Sequence, residues 1–259
     1  MFRPRVIPVL LLKDRSLVKT ERFKNERYIG DPINAVKIFN DLEADELVFL
    51  DILASKENRT IATEFVEDVG SEANMPFSVG GGIRTLEDIE RLTSAGAEKV
   101  VICTYAAQNP DFIKQASSNF GTSTIAVCMD VKNRFLKGNR VCTHSGSKVT
   151  QYTPVDFAKM MESNGAGELI VQSIERDGRM NGYDIELIKE VSEAVSIPVV
   201  ALGGAGSLDD LKSACQKGYA SSVAAGSLFV FHGPRRGVLI NYPSQSEIQS
   251  IFKDDKTRN

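Results

Sequence analysis

The chain has 259 residues, 42% of them hydrophobic and 25% charged, with no tryptophan and a formal net charge of −3. That length suits one large α/β domain or two small ones with a substantial core, and the slightly acidic balance gives no reason to expect nucleic acid or an anionic membrane as the main partner. No apolar run approaches the roughly 20 residues of a membrane span, and Met1 to Arg5 leads into a strand-like run rather than a signal peptide. The four cysteines, Cys103, Cys128, Cys142 and Cys215, form no Cys-x-x-Cys pair. They read as reduced, mostly buried thiols of a cytoplasmic protein. With His144 and His232 the only histidines, a histidine-rich metal site is not expected; no other metal and no cofactor is expected either.

In chain order, Val6 to Leu12 is a continuous apolar run, as a parallel strand buried on both faces requires. Lys13 to Gly30 is charged and aperiodic and reads as a mobile loop. Asp31-Pro32 opens a helix with proline at its first position, running to about Leu42. Glu46 to Asp51 is a second strand and Ile61 to about Gly70 a second helix. Pro76 to Ile83 is a third strand that stops at three glycines, Gly80 to Gly82; Thr85 with Asp88 then has the form of a helix-capping pair, leading a helix to Ala95. Lys99 to Cys103 is the fourth strand, and Asn109-Pro110 begins the next helix. Ser123 to Asp130 is the fifth, followed by a polar excursion from Lys132 to Gln151 that has room for a small hairpin. Thr153-Pro154 opens another helix. Glu168 to Ser173, Val199 to Leu202 and Ser221 to Ala225 complete the strands, with helices over Asp184 to Val195 and Leu208 to Lys217.

The order repeats. The Pro76 tract has an echo from Pro198 to Ser207, a step of 198 − 76 = 122 residues, and the same step maps Glu46 onto Glu168, Asp51 onto Ser173 and Thr104 onto Gly226. Two sets of four β/α units close most simply into one (β/α)8 barrel spanning 1–259, with half-barrels of about 1–120 and 121–259. A doubly wound open sheet is disfavoured because no Gly-x-Gly-x-x-Gly follows the first strand.

Chemistry in such a barrel sits at the carboxyl ends of its strands. The glycine-lined strand end at Gly82 opens onto a helix N-terminus, whose bare N–H groups and dipole suit a phosphate. Gly82 with Thr104 forms one candidate seat, and Gly178, Gly204, Gly226 and Ser227 form a second across the mouth. Any one glycine is most simply a turn. The paired set points to an elongated ligand with two phosphates. Asp130, at the end of a buried strand between the seats, is the candidate general acid or base.

Asp45 to Ser55, Pro76 to Ile83, Ser173 to Gly178 and Gly203 to Gly206 resemble the cyclase subunit of imidazole glycerol phosphate synthase, HisF, with a match from Arg5 to about Phe231. The resemblance implies a barrel that receives ammonia from a glutaminase partner, HisH, docked at its amino-terminal face. It also implies cyclisation of a bisphosphate ribonucleotide at the opposite mouth. By the same resemblance Lys19, Gly82, Thr104, Gly178, Gly204 and Ser227 contact phosphate, Asp177 stands with the ligand-binding group, and Asp130 is catalytic. Four positions depart from the family pattern. Leu11 replaces a second catalytic aspartate, Cys103 an asparagine, Gln172 a threonine and Leu202 a serine. Loss of one acid–base group typically costs ~10²–10⁴-fold in rate.

At the other end, Arg5, Glu46, Lys99 and Glu168 match the charged ring that gates ammonia entrance in the family. An intact gate with altered chemistry resembles the WbuZ-type paralogues of saccharide loci. These accompany a HisH-like glutaminase and an N-acetyl sugar amidotransferase. The expectation is therefore an ammonia-supplying subunit for sugar amidination. The alternative is a working cyclase in which Asp51 or Asp177 covers for the missing aspartate. An isomerase of the sister family HisA is weaker, since that chemistry also uses a first-strand carboxylate.

Overall fold

A computed structural model describes residues 3–136 and 138–253. Its frame is a ring of eight parallel strands: β1 (Val6–Lys13), β2 (Leu47–Asp51), β3 (Phe77–Gly80), β4 (Lys99–Ile102), β5 (Ile125–Arg134), β6 (Glu168–Ser173), β7 (Val199–Leu202) and β8 (Ser222–Ala225). Each strand pairs with the next, and β8 returns to β1 through Val6 opposite Val223, so the eight-stranded ring itself is closed. This is a (β/α)8 barrel, as the half-chain repeat predicts.

Helices α1 (Pro32–Asp41), α2 (Thr63–Glu72), α3 (Leu86–Ser94), α4 (Asp111–Phe120), α5 (Pro154–Ser163), α6 (Ile185–Ser192) and α7 (Leu208–Gln216) follow the first seven strands, and α8 (Gln245–Phe252) closes the ring after β8. Their starts follow sequence rules. Asp31 and Thr153 cap α1 and α5 ahead of Pro32 and Pro154, and Thr85/Asp88 and Ser207/Asp210 are complete capping boxes on α3 and α7. Two short helices, Thr104–Gln108 and Ser227–Val230, start directly from β4 and β8 with no side-chain cap.

Apolar side chains fill two layers. Phe39, Phe49, Phe157 and Phe229 are fully buried in the cluster between strands and helices. Ile7, Val48, Val101, Ala126, Ile170, Val200 and Ala224 form a separate cluster, to which each barrel strand except β3 contributes. Among the described residues no helix is long and apolar enough to cross a membrane.

The segment expected to be a mobile loop, Lys13 to Gly30, is instead a β-hairpin. Ser16–Glu21 pairs antiparallel with the end of β1 and with Lys24–Gly30. Two-residue turns at Asp14-Arg15 and Arg22-Phe23 have positive φ at both positions, the geometry that matches strand twist in tight hairpins. Leu17, Val18 and Ile29 are buried, which gives the hairpin a packed face despite its charged composition. The excursion from Lys132 to Gln151 does hold a hairpin: β5 runs on to Arg134 and pairs with Gly138–Thr143, which pairs with Lys148–Val149. Both half-barrels thus carry an antiparallel extension after their first strand.

Candidate functional site

A cavity of about 330 Å³ opens at the carboxyl ends of the strands. Lys19, Gly82, Thr104, Asp130, Asp177, Gly178, Gly204, Gly226 and Ser227 all line it, as do Leu11, Cys103, Cys128, Gln172 and Leu202.

The helix ends correct one expectation. The N-termini of α3 and α7 are not bare: Asp88 Oδ2 accepts from the N–H groups of Arg84 and Thr85, and Asp210 Oδ2 from those of Gly206 and Ser207. Those carboxylates already occupy the anion positions at both helix starts. Of the helix starts that line the cavity, Thr104 and Ser227 carry no side-chain cap. Thr104 Oγ1 accepts from His144 N–H at 3.0 Å, which leaves its hydroxyl hydrogen free to donate. Ser227 Oγ is buried with no hydrogen-bond partner among the described residues, and so is Gln172 Oε1. Two unpartnered polar atoms in one cavity are the usual mark of a polar ligand's place.

The glycines are also fixed by packing. A Cβ on Gly82 would stand 1.8 Å from Arg59 O and one on Gly204 2.2 Å from Gly182 O, and both have positive φ. These two positions admit only glycine whatever binds beside them.

Lys19 and Asp177 form a buried pair, Nζ to Oδ1 2.9 Å. Asp177 also accepts from Thr20 Oγ1 at 2.8 Å and from Phe23 N–H at 3.2 Å, so it clamps the hairpin over the cavity. Asp51 is equally engaged. It accepts from Leu53 N–H and Ala54 N–H and forms a two-armed pair with Arg59. That partnership holds the Arg59 guanidinium above its ordinary pKa.

Asp130 differs from both. It is buried, and among the described residues its carboxylate meets only thiols: Cys103 Sγ at 3.5 Å and Cys128 Sγ at 3.9 Å. Burial pushes its pKa up to about 7, with the Asp177 charge adding to the rise and the thiol hydrogen bonds opposing it. A carboxyl so placed exchanges protons near neutral pH. Leu11, on β1, lines the same cavity with a side chain that holds no proton.

At the opposite end Arg5, Glu46, Lys99 and Glu168 close on one another. Arg5 pairs with both Glu46 and Glu168, and Lys99 Nζ lies 3.3 Å from Glu46 and 3.4 Å from Glu168. Each cation bridges both carboxylates, and Ser78 Oγ adds a 2.9 Å bond to Glu46. Burial works to lower the pKa of Arg5, but Glu168 and Glu46 outweigh it and hold it raised.

Sequence reasoning missed His144, Ser145, Phe23 and Tyr105 on the cavity wall. The first two sit in the fifth-strand excursion, where only its position after a barrel strand pointed to the mouth. It also missed that Cys103 and Cys128 are neighbours.

Fold and site define a (β/α)8 barrel with a polar cavity at one end and a paired-charge ring at the other. The family model described as "Histidine biosynthesis protein" matches residues 5–234. The chain is 44% identical over 253 residues to the "Putative imidazole glycerol phosphate synthase subunit HisF" of Leptospira interrogans, covering 97% of this chain and 100% of that protein. It is 46% identical to the protein of the same name from Leptospira borgpetersenii with the same coverage. It is 44% identical over 248 residues to "subunit hisF2" of Pseudomonas aeruginosa, covering 96% and 99%. The chain belongs to this histidine-biosynthesis family of barrels, in its HisF-like branch.

Proposed function

We propose that this chain is the synthase-type subunit of a glutamine amidotransferase complex and supplies ammonia for sugar amidination in surface-saccharide biosynthesis. A HisH-like glutaminase docks over the ring of Arg5, Glu46, Lys99 and Glu168. Ammonia enters there and passes as the neutral molecule between Ile7, Val48, Val101, Ala126 and Ala224. An ammonium ion would pay several kcal/mol to enter that apolar layer unpaired. At the mouth, Lys19, Gly82, Thr104, Gly178, Gly204, Gly226 and Ser227 hold a phosphorylated small molecule, with Asp177 fixing Lys19. The unpartnered Ser227 Oγ supports that role.

The observation that carries the reading is Leu11 on the cavity wall where the family's second carboxylate belongs. Asp51 and Asp177, which line the same cavity, are committed to Arg59 and to the hairpin. Reconstitution with the glutaminase, glutamine and an N-acetyl sugar amidotransferase tests it. Amidine should form only when this chain is present. Equal amidine without it overturns the proposal.

A working cyclase in histidine biosynthesis is the second reading. It is favoured by Asp130, the one buried carboxyl at the mouth, among those described, with a pKa near 7.

A further inference from the structure

The strand register that pairs Val101 with Ala126 and Ile102 with Val127 brings Cys103, just past β4, beside Cys128 on β5. Asp130 follows Cys128 by two positions on β5, so its side chain shares the same face. Their donor atoms all lie within 4.8 Å of one another. Zinc held by two thiolates and a carboxylate, with Zn–S about 2.3 Å and Zn–O about 2.0–2.2 Å, requires S···O edges of about 3.5 Å and an S···S edge of about 3.8 Å in a tetrahedron. Cys103 Sγ lies 3.5 Å from Asp130 Oδ2 and Cys128 Sγ 3.9 Å from Oδ1, so each thiol already stands near such an edge from one carboxylate oxygen, and a small turn of the carboxylate brings both sulfurs to the same oxygen.

The surroundings favour a cation. Among the described residues Asp130 has no ion-pair partner; the cation on the neighbouring wall, Lys19, is bound to Asp177. Gln172, beside Asp130 in the β5–β6 register, presents a buried Oε1 without a donor. Water or ammonia on a metal would supply one.

We propose that Cys103, Cys128 and Asp130 bind a soft divalent cation of the zinc class through three protein ligands, with the fourth position facing the cavity. Two sulfur donors select zinc over magnesium or calcium, which take oxygen. Three ligands and one exchangeable position are the arrangement of reactive rather than purely structural zinc. The open position takes water, ammonia or a donor atom of the bound ligand. Metal ligation and proton transfer by Asp130 exclude each other, so the metal-loaded chain is not a cyclase that relies on that carboxylate. The site does not depend on the ammonia reading, and its test reads metal binding alone.

The probe is cobalt(II), titrated into the chelator-treated full-length chain under reducing conditions and followed by absorption. The expected result is one cobalt per chain with intense visible bands of tetrahedral geometry and a sulfur-to-cobalt band in the near ultraviolet. Cys103→Ser and Cys128→Ser should each remove roughly half of the sulfur band, since one of two thiolates is gone. Cys142→Ser and Cys215→Ser should leave it unchanged, and zinc should displace the cobalt. A wild-type spectrum that stays octahedral without a sulfur band overturns the proposal, whether or not the variants fold. So does a sulfur band that survives in the Cys103→Ser/Cys128→Ser double variant.

Discussion

Lys19 Nζ and Asp177 Oδ1 are 2.9 Å apart, both side chains are buried, and the two residues are 158 positions apart in sequence. This one pair ties the hairpin after β1 to the loop after β6. Asp177→Ala leaves a buried ammonium without its partner and frees Thr20 Oγ1 and Phe23 N–H, so it should cost about 3–5 kcal/mol. Chemical denaturation measures the loss, and limited proteolysis should newly cut at Arg22 or Lys24. Lys19→Met should cost less, because the neutral stem keeps its packing and Asp177 retains two donors.

The ring of Arg5, Lys99, Glu46 and Glu168 has two cations and two carboxylates, each bonded across. Lys99→Met removes one corner and leaves Glu46 and Glu168 with Arg5 as the one cation of the ring, Ser78 still donating to Glu46. The expected loss is on the order of 3 kcal/mol in denaturant unfolding, more than an exposed ion pair would give. Complex formation with the glutaminase should weaken in the same variant, read by size-exclusion chromatography.

Asp130 sets a pH dependence with an unusual sign. Its pKa is about 7 in the folded chain and about 3.9 unfolded. Between those values the folded protein holds a proton that the unfolded chain has released, so stability falls as pH rises through that window. Asp130→Asn should remove the slope. With metal chelated, the stability of wild type relative to the variant should drop by on the order of 3 kcal/mol from pH 5 to pH 8. An unchanged difference would show that the carboxyl titrates normally.

The capping boxes of α3 and α7 occupy equivalent places in the two half-barrels. Thr85→Ala and Ser207→Ala each delete the hydroxyl that accepts from an N3 N–H. Each should cost about 1 kcal/mol. Thermal unfolding should show similar losses for the two, and additive ones in the double variant.

The barrel was legible because its signals are local or repeated: apolar runs, proline at helix starts and a 122-residue step. Asp130 was placed by the same count of strand ends, whereas Arg5, Glu46, Lys99 and Glu168, at the strand starts, were picked out by the family resemblance. What escaped depended on contacts that linear spacing does not carry. The hairpin turns use Asp14-Arg15 and Arg22-Phe23, so left-handed backbone arises there without the glycine or asparagine that announces it. The commitment of Asp177 comes from a partner far away in sequence. Cys103 and Cys128 lie 128 − 103 = 25 residues apart, which matches no ligand motif, and only lateral strand register makes them neighbours.

The most direct test of the central claim is cyclisation of the bisphosphate ribonucleotide with ammonium salt supplied in place of a glutaminase. An ammonia-supplying subunit with Leu11 at its mouth predicts turnover at background, at least ~10²-fold below a cyclase with both carboxylates. Turnover near that of such a cyclase would contradict the account and assign the chemistry to Asp130.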